Sequence, residues 1–217
     1  MIGTAQPQSP VIVRTNTLFG QVMLLVAVTV VFFAAGAYVA RDIAWGWVLP
    51  LYIGVFVCAF ICGRARKESS RGALIALFAM GALLGAALGP TLNQYANTQN
   101  GPQLIAQAAG LTAGVVAALG AIGMLTSKDL SGWLRFMFIP LLALIAFGFV
   151  TIFVNIPNGD LIYCVAGLAI FSVYTVIDFN MIRHRGDQVG AIALAAGIFL
   201  DVINIFLFLL NLMGRGR

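Results

Sequence analysis

Residues 197–214 read GIFLDVINIFLFLLNLMG. Apart from Asp201, Asn204 and Asn211, every position is apolar or glycine. Extended back to Val189, the stretch is long enough to cross a bilayer as a helix, which takes about 20 residues. Gly197, Asp201, Asn204 and Asn211 recur at spacings of 4, 3 and 7, so they form one stripe on such a helix. The opposite side is Ile, Leu and Phe. A polar stripe in an otherwise lipid-soluble helix must face protein or water. The pattern therefore predicts a central C-terminal helix covered by the others. Asn204 and Asn211 read as interhelical hydrogen-bonding groups. A carboxylate at mid-bilayer costs about 2.5–3.5 kcal/mol and usually marks function. A second one, Asp178, lies in the preceding apolar stretch SVYTVIDFNMI, residues 172–182, where Tyr174 and Thr175 line the same face.

The rest of the chain agrees with a membrane reading. Of 217 residues 61% are hydrophobic and only 9% charged, against about 25% charged in a soluble domain. Mean hydropathy is +1.01. Too little polar sequence remains for a soluble domain, and one transmembrane domain is the natural count. The net charge of +5 is not a nucleic-acid signal. The basic residues sit at the ends of apolar stretches, as topology signals do, and no basic run is interleaved with aromatics. Residues 1–16 are polar, and Arg14 precedes an apolar run too long for a signal-peptide core. They are expected to form a flexible cytoplasmic tail, leaving residues 17–214 as the membrane domain.

Seven spans follow from charge-free runs: Leu18–Ala40, Ala44–Gly63, Gly72–Leu92, Leu104–Leu125, Trp133–Val154, Leu161–Ile182 and Val189–Met213. Gly89-Pro90 and the polar run Asn93 to Gln103 are expected to break the third from the fourth. Asn155-Ile156-Pro157-Asn158-Gly159 closes the fifth. With the N-terminus on one side, that side holds Arg14, Arg64, Arg66, Lys67, Arg71, Lys128, Arg135, Arg183 and Arg185. The other holds Arg41, Arg215 and Arg217. The richer side is expected to be cytoplasmic. Seven spans then leave the C-terminus outside, whereas re-entry of the last segment would return Arg215 and Arg217 to the cytoplasm.

Gly81, Gly85 and Gly89 repeat every four residues in the third helix, as do Gly110 and Gly114 in the fourth. Small residues at this spacing let helix backbones approach closely in lipid. Cys58, Cys62 and Cys164 are an odd count inside apolar segments, which argues for packing rather than a disulfide framework. Cys58 and Cys62 share a face but would need further ligands to hold a metal. The one histidine, His184, falls in what reads as a charged loop. No phosphate-cradling loop or nucleotide fingerprint is present.

One geometric difficulty is visible. Asp178 lies five residues from Arg183, about 7–8 Å deep, and Asp201 twelve residues beyond Val189, about 18 Å deep. They meet only if the helices are offset, tilted or broken. Arg64, at the end of the second helix, could snorkel toward such a site; Arg66 and Lys67 read as ordinary positive-inside residues.

GPTLNQY (89–95), LTSKDLSGW (125–133), VYTVIDFNMIRH (173–184) and above all IFLDVINIFLFLLNLMG (198–214) resemble the transmembrane Bax-inhibitor-motif family, in a bacterial form. The resemblance covers roughly residues 15–214. It implies seven helices, six around a central C-terminal one. It also implies a calcium leak gated by pH through a hydrogen-bonded aspartate pair, which falls on Asp178 and Asp201, with Arg64 as the counterpart of an arginine that interacts with the pair. The membrane it implies is the bacterial inner membrane. Other bacterial relatives lack both aspartates and modulate a membrane-bound AAA protease. GPTLNQY and SKDLSGW are similar to those modulators too, so that reading stays open.

Two carboxyl groups within hydrogen-bond reach cannot both ionise cheaply; they share a proton and titrate jointly. Gaining or losing it would alter the tie between the last two helices. Ionised, the pair would also offer hard oxygen ligands to a transient Ca²⁺. No resident cofactor is expected. Paired intramembrane aspartates also make aspartyl proteases, but these want a Gly-x-Gly-Asp context, and here the neighbours are VIDFN and IFLDVIN. The chain is expected not to be an enzyme.

Overall fold

The computed structural model describes residues 11–64 and 71–215, excepting the side chains of residues 11–16 and 187. The expected tail therefore falls largely outside the described residues, as do Arg66 and Lys67. Seven helices follow one another: α1 (Val11–Val39), α2 (Val48–Arg64), α3 (Arg71–Ala96), α4 (Gly101–Leu125), α5 (Leu134–Phe153), α6 (Gly159–Val189) and α7 (Ala191–Gly214). Each is long and apolar enough to cross a membrane. No strand occurs among the described residues. The protein is an all-α membrane protein with seven membrane-spanning helices.

Helix ends are set by a few residues with unusual backbone. Asn100 (φ 60°) and Asn158 (φ 57°) adopt the left-handed conformation just before α4 and α6, which asparagine tolerates better than most residues. Pro102 in the first turn of α4 and Asp160 in that of α6 suit helix starts. Between α6 and α7 the chain turns on one residue, Gly190, at φ 86° and ψ 153°. That conformation is open essentially only to glycine.

Some helix ends differ from the sequence reading. The third span, read as ending at Leu92 just after Gly89-Pro90, continues unbroken through Pro90 to Ala96. Both residues are buried, and Gly89 lies against the carbonyls of Ala37 and Ala40. Neighbouring helices accommodate a proline there, as membrane helices commonly allow. The sixth helix does not end at Ile182. Seven further residues, Arg183 to Val189, stay helical, so His184 is helical rather than in a loop.

α7 is the most buried span, with 67% of its apolar window covered, followed by α3 at 56%; α5 has 6%. α7 packs against α1, α2, α3, α4 and α6. α5 joins the bundle chiefly through α6, and Leu144, Cys164 and Phe208 share a small apolar cluster there. Phe199, Ile198 and Ile205 of α7 and Leu77 and Met80 of α3 are fully buried. The α3 glycines do what their spacing predicts: a Cβ on Gly81, Gly85 or Gly89 would overlap the backbone of Thr29, Phe33 or Ala37 in α1. Gly36 approaches the Ala82 carbonyl reciprocally. Gly110 and Gly114 face open space instead. The tight approach of α4 is made lower down, by Gly120 against Phe179 and Gly123 against the Val176 carbonyl.

Candidate functional site

The extension of α6 removes the depth difficulty. From the turn at Gly190, Asp178 lies 190 − 178 = 12 residues back and Asp201 lies 201 − 190 = 11 residues forward. At 1.5 Å per residue both sit about 17–18 Å from the turn. The side chains converge on α7. A Cβ on Gly197 would overlap Asp178 Oδ2, so the carboxyl of α6 rests against the α7 backbone one turn from Asp201. Gly197 therefore belongs to the site as the gap that admits Asp178. Asp201 is 4% exposed, whereas Asp178 is half-buried. Asp201 Oδ2 is buried without a hydrogen-bond partner among the described residues.

Thr175 is fully buried beside the Asp201 carboxyl. Its hydroxyl donates to the Phe171 carbonyl at 2.8 Å. A hydroxyl has one proton and two lone pairs, so Thr175 in this arrangement faces Asp201 as an acceptor. Tyr174 packs on Phe171 with ring centroids 5.9 Å apart. Asn204 does not bridge helices: its Nδ2 donates to the Leu200 carbonyl of its own helix at 2.8 Å. Asn211 is half-buried at the far end of α7. The exposed Arg64 guanidinium stacks 3.8 Å over the Phe60 ring. Ion pairs among the described residues are Arg41–Asp42 and Arg185–Asp129, so Arg64 is paired with neither aspartate here. Cys58, Cys62 and Cys164 are free thiols, the last two buried.

The sequence reading passed over Asn180, two residues beyond Asp178. It is fully buried. Its Nδ2 lies within bonding distance of the carbonyls of Gly123 (3.1 Å), Thr126 (3.2 Å) and Lys128 (3.0 Å). Its Oδ1 accepts from the Leu130 amide at 2.8 Å. Arg183 Nη1 donates to the Met124 carbonyl at 2.8 Å, and His184 Nε2 to the Thr126 carbonyl at 3.1 Å. Carbonyls in the last turn of α4, which have no partner within their own helix, and in the loop just after it are thus met by α6. Arg185 Nε donates to Asp129 Oδ2 at 2.7 Å. The amide and hydroxyl of Ser131, then Arg185, hold the Asp129 carboxyl down to about 2. LTSKDLSGW is a loop clasped to the end of the aspartate-bearing helix. The available signal was an asparagine inside an apolar helix, which the nearby aspartate overshadowed.

Residues 15–217 match a family described as "Inhibitor of apoptosis-promoting Bax1". A Vibrio cholerae protein called an uncharacterized membrane protein is 30% identical over 204 residues, covering 93% of this chain and 90% of its own. A Pseudomonas aeruginosa protein is 28% identical over 193 residues, covering 88% and 85%. An uncharacterized membrane protein of Streptococcus pyogenes is 29% identical over 166 residues, covering 73% and 70%. With its seven membrane-spanning helices and a family match over nearly its whole length, the chain belongs to the Bax-inhibitor family of membrane proteins.

Proposed function

We propose that this protein is a pH-sensitive calcium leak in which Asp178 and Asp201 hold a proton between α6 and α7. One observation carries the reading: two carboxyls from consecutive helices converge at one level on the most buried helix, and one of their oxygens, Asp201 Oδ2, has no partner among the described residues. A buried polar atom left unpaired is costly, and a proton or a cation at Oδ2 would satisfy it. Thr175 can serve either state: with its own proton on Phe171 it can accept one from Asp201. When Asp201 ionises, the Thr175 hydroxyl must turn away from Phe171 to remain its partner. Two ionised carboxylates repel, and together they form a hard oxygen site suited to Ca²⁺ as cargo. Protonation thus alternates between a tie joining α6 to α7 and a charged, cation-attracting gap. In this reading the membrane is the bacterial inner membrane and the basic face is cytoplasmic, an orientation that the positive-inside preference favours.

Calcium efflux from proteoliposomes against pH tests the reading, with empty liposomes as the baseline. The expected result is efflux that changes with pH. Absence of efflux at every pH, together with co-purification of an AAA protease, would replace the leak by protease modulation, toward which the polar residues 1–16 would be the contacting segment.

A further inference from the structure

α1 and α4 both belong to the bundle but barely touch each other; each packs instead on α3, α6 and α7. Between them runs a cavity of about 1120 Å³, larger than the 300–1,000 Å³ usual for ligand pockets. It stretches along α1 from Phe19 to Ala37, which at 1.5 Å per residue is about 27 Å, nearly the thickness of the bilayer hydrocarbon. Along α4 it runs from Ile105 to Leu125. Its floor is Val202, Ile203 and Phe206 of α7, and these lie on the side of that helix away from Gly197, Asp201 and Asn204. The groove is therefore separate from the aspartate site. Among the described residues, Thr112 is the only one lining it with a polar side chain, and its hydroxyl donates to the Ala108 carbonyl of its own helix. The lining is overwhelmingly apolar and offers water few partners, and a groove of this size open to a bilayer fills with hydrocarbon.

One end of the groove is charged. Phe179 and Met124 line it on the basic face. Arg183, one turn beyond Phe179 on the same side of α6, reaches the Met124 carbonyl with Nη1. Its remaining N–H groups take no partner among the described residues, and its side chain is exposed. The neighbouring Arg185 is already neutralised by Asp129. An apolar channel of hydrocarbon length with a guanidinium at its mouth that has no acidic partner among the described residues matches one molecule: an acyl chain below an anionic phosphate. We infer that the α1–α4 groove is a specific phospholipid site, with an acyl chain along α4 and an anionic headgroup at Arg183.

The test is native mass spectrometry of the full chain in mild detergent, titrated with phosphatidylglycerol or with phosphatidylcholine of the same chains. One phosphatidylglycerol should bind per chain, about five-fold tighter than phosphatidylcholine, the factor expected for one arginine at an anionic surface. Arg183→Gln should remove that preference while leaving chain binding. Ala113→Phe and Ala117→Phe, at exposed groove positions that fill the space without entering a packed helix contact, should weaken both lipids at least ten-fold. Circular dichroism of each variant controls for folding. Binding of many equivalents untouched by the two phenylalanines would mean annular lipid only and would overturn the assignment. So would a dimer of the chain that excludes lipid.

Discussion

Gly197 decides how close two acids can come. With hydrogen as its side chain it lets the Asp178 carboxyl rest on α7; a methyl group would occupy the position of Oδ2. Gly197→Ala should therefore abolish the pH dependence of efflux as fully as Asp178→Asn, although no titrating group is lost. Efflux profiles of the two variants check this, and a Gly197→Ala protein with the wild-type profile would show that close approach is unnecessary. The stripe containing Gly197 and Asp201 was legible from helical spacing, and so was Asp178. The true partners of Asn204 and Arg64 were not. Asn204 satisfies itself within its own helix, and Arg64 lies over Phe60. Both choices are local, and spacing cannot separate a polar group that reaches across from one that folds back. Because Arg64 stacks on Phe60 and pairs with neither aspartate, Arg64→Ala should shift the efflux midpoint far less than either aspartate substitution alters the profile. His184 is the chain's single histidine. Its Nε2 is engaged at Thr126, outside the pair, so His184→Gln should retain the pH response.

At the scale of elements, α3 and α1 are held by backbone contact. Gly85→Ala would force its methyl into the Phe33 carbonyl, and overpacking of this kind costs about 1–3 kcal/mol. Thermal unfolding in detergent should show the loss, while Gly110→Ala, facing open space, should not. Spacing found both glycine repeats but could not say which had a partner. The end of α6 was misread for a physical reason: charges after Ile182 mark where the membrane ends, not where the helix does. Hydrogen bonds continue to Gly190, the first residue whose conformation stops them. Asn180→Leu should take the side-chain partner from the Gly123 and Lys128 carbonyls and the Leu130 amide and leave the Thr126 carbonyl to His184 alone, costing about 3 kcal/mol, read by the same unfolding assay. The Asp129–Arg185 clasp beside it has the opposite relation to pH from a neutral-range sensor. Its carboxyl is held down to about 2, below the unfolded value of about 3.9. Its stabilisation is therefore present above pH ~4 and is lost only as pH falls toward ~2. Near neutrality it is constant, so Asp129→Asn should leave the pH dependence of efflux in place.

Seen as a whole molecule, the protein was largely legible from hydropathy, because lipid imposes one solution on every span: a helix with its hydrogen bonds closed internally. What hydropathy could not supply was the interior. Burial of α7 was foreseen from its polar stripe; burial of α3 came from glycine contacts with α1, and the open seam between α1 and α4 from their failure to pack. Seven spans place the two ends of the chain on opposite faces. A cysteine added after Arg217 in a cysteine-free background should be labelled only from outside intact cells, and one at Ser127 only after permeabilisation. Labelling of both from one side would contradict the seven-span topology. The central claim is that Asp178 and Asp201 titrate as one unit that controls transport. Its most direct test is calcium efflux from proteoliposomes, recorded from acid to neutral pH for the wild type, Asp178→Asn, Asp201→Asn and the double variant. The predicted result is a pH-dependent wild type and three variants with the same flat profile, because either substitution removes the joint titration and the second then adds nothing. Wild-type pH dependence persisting in both single variants would contradict the account.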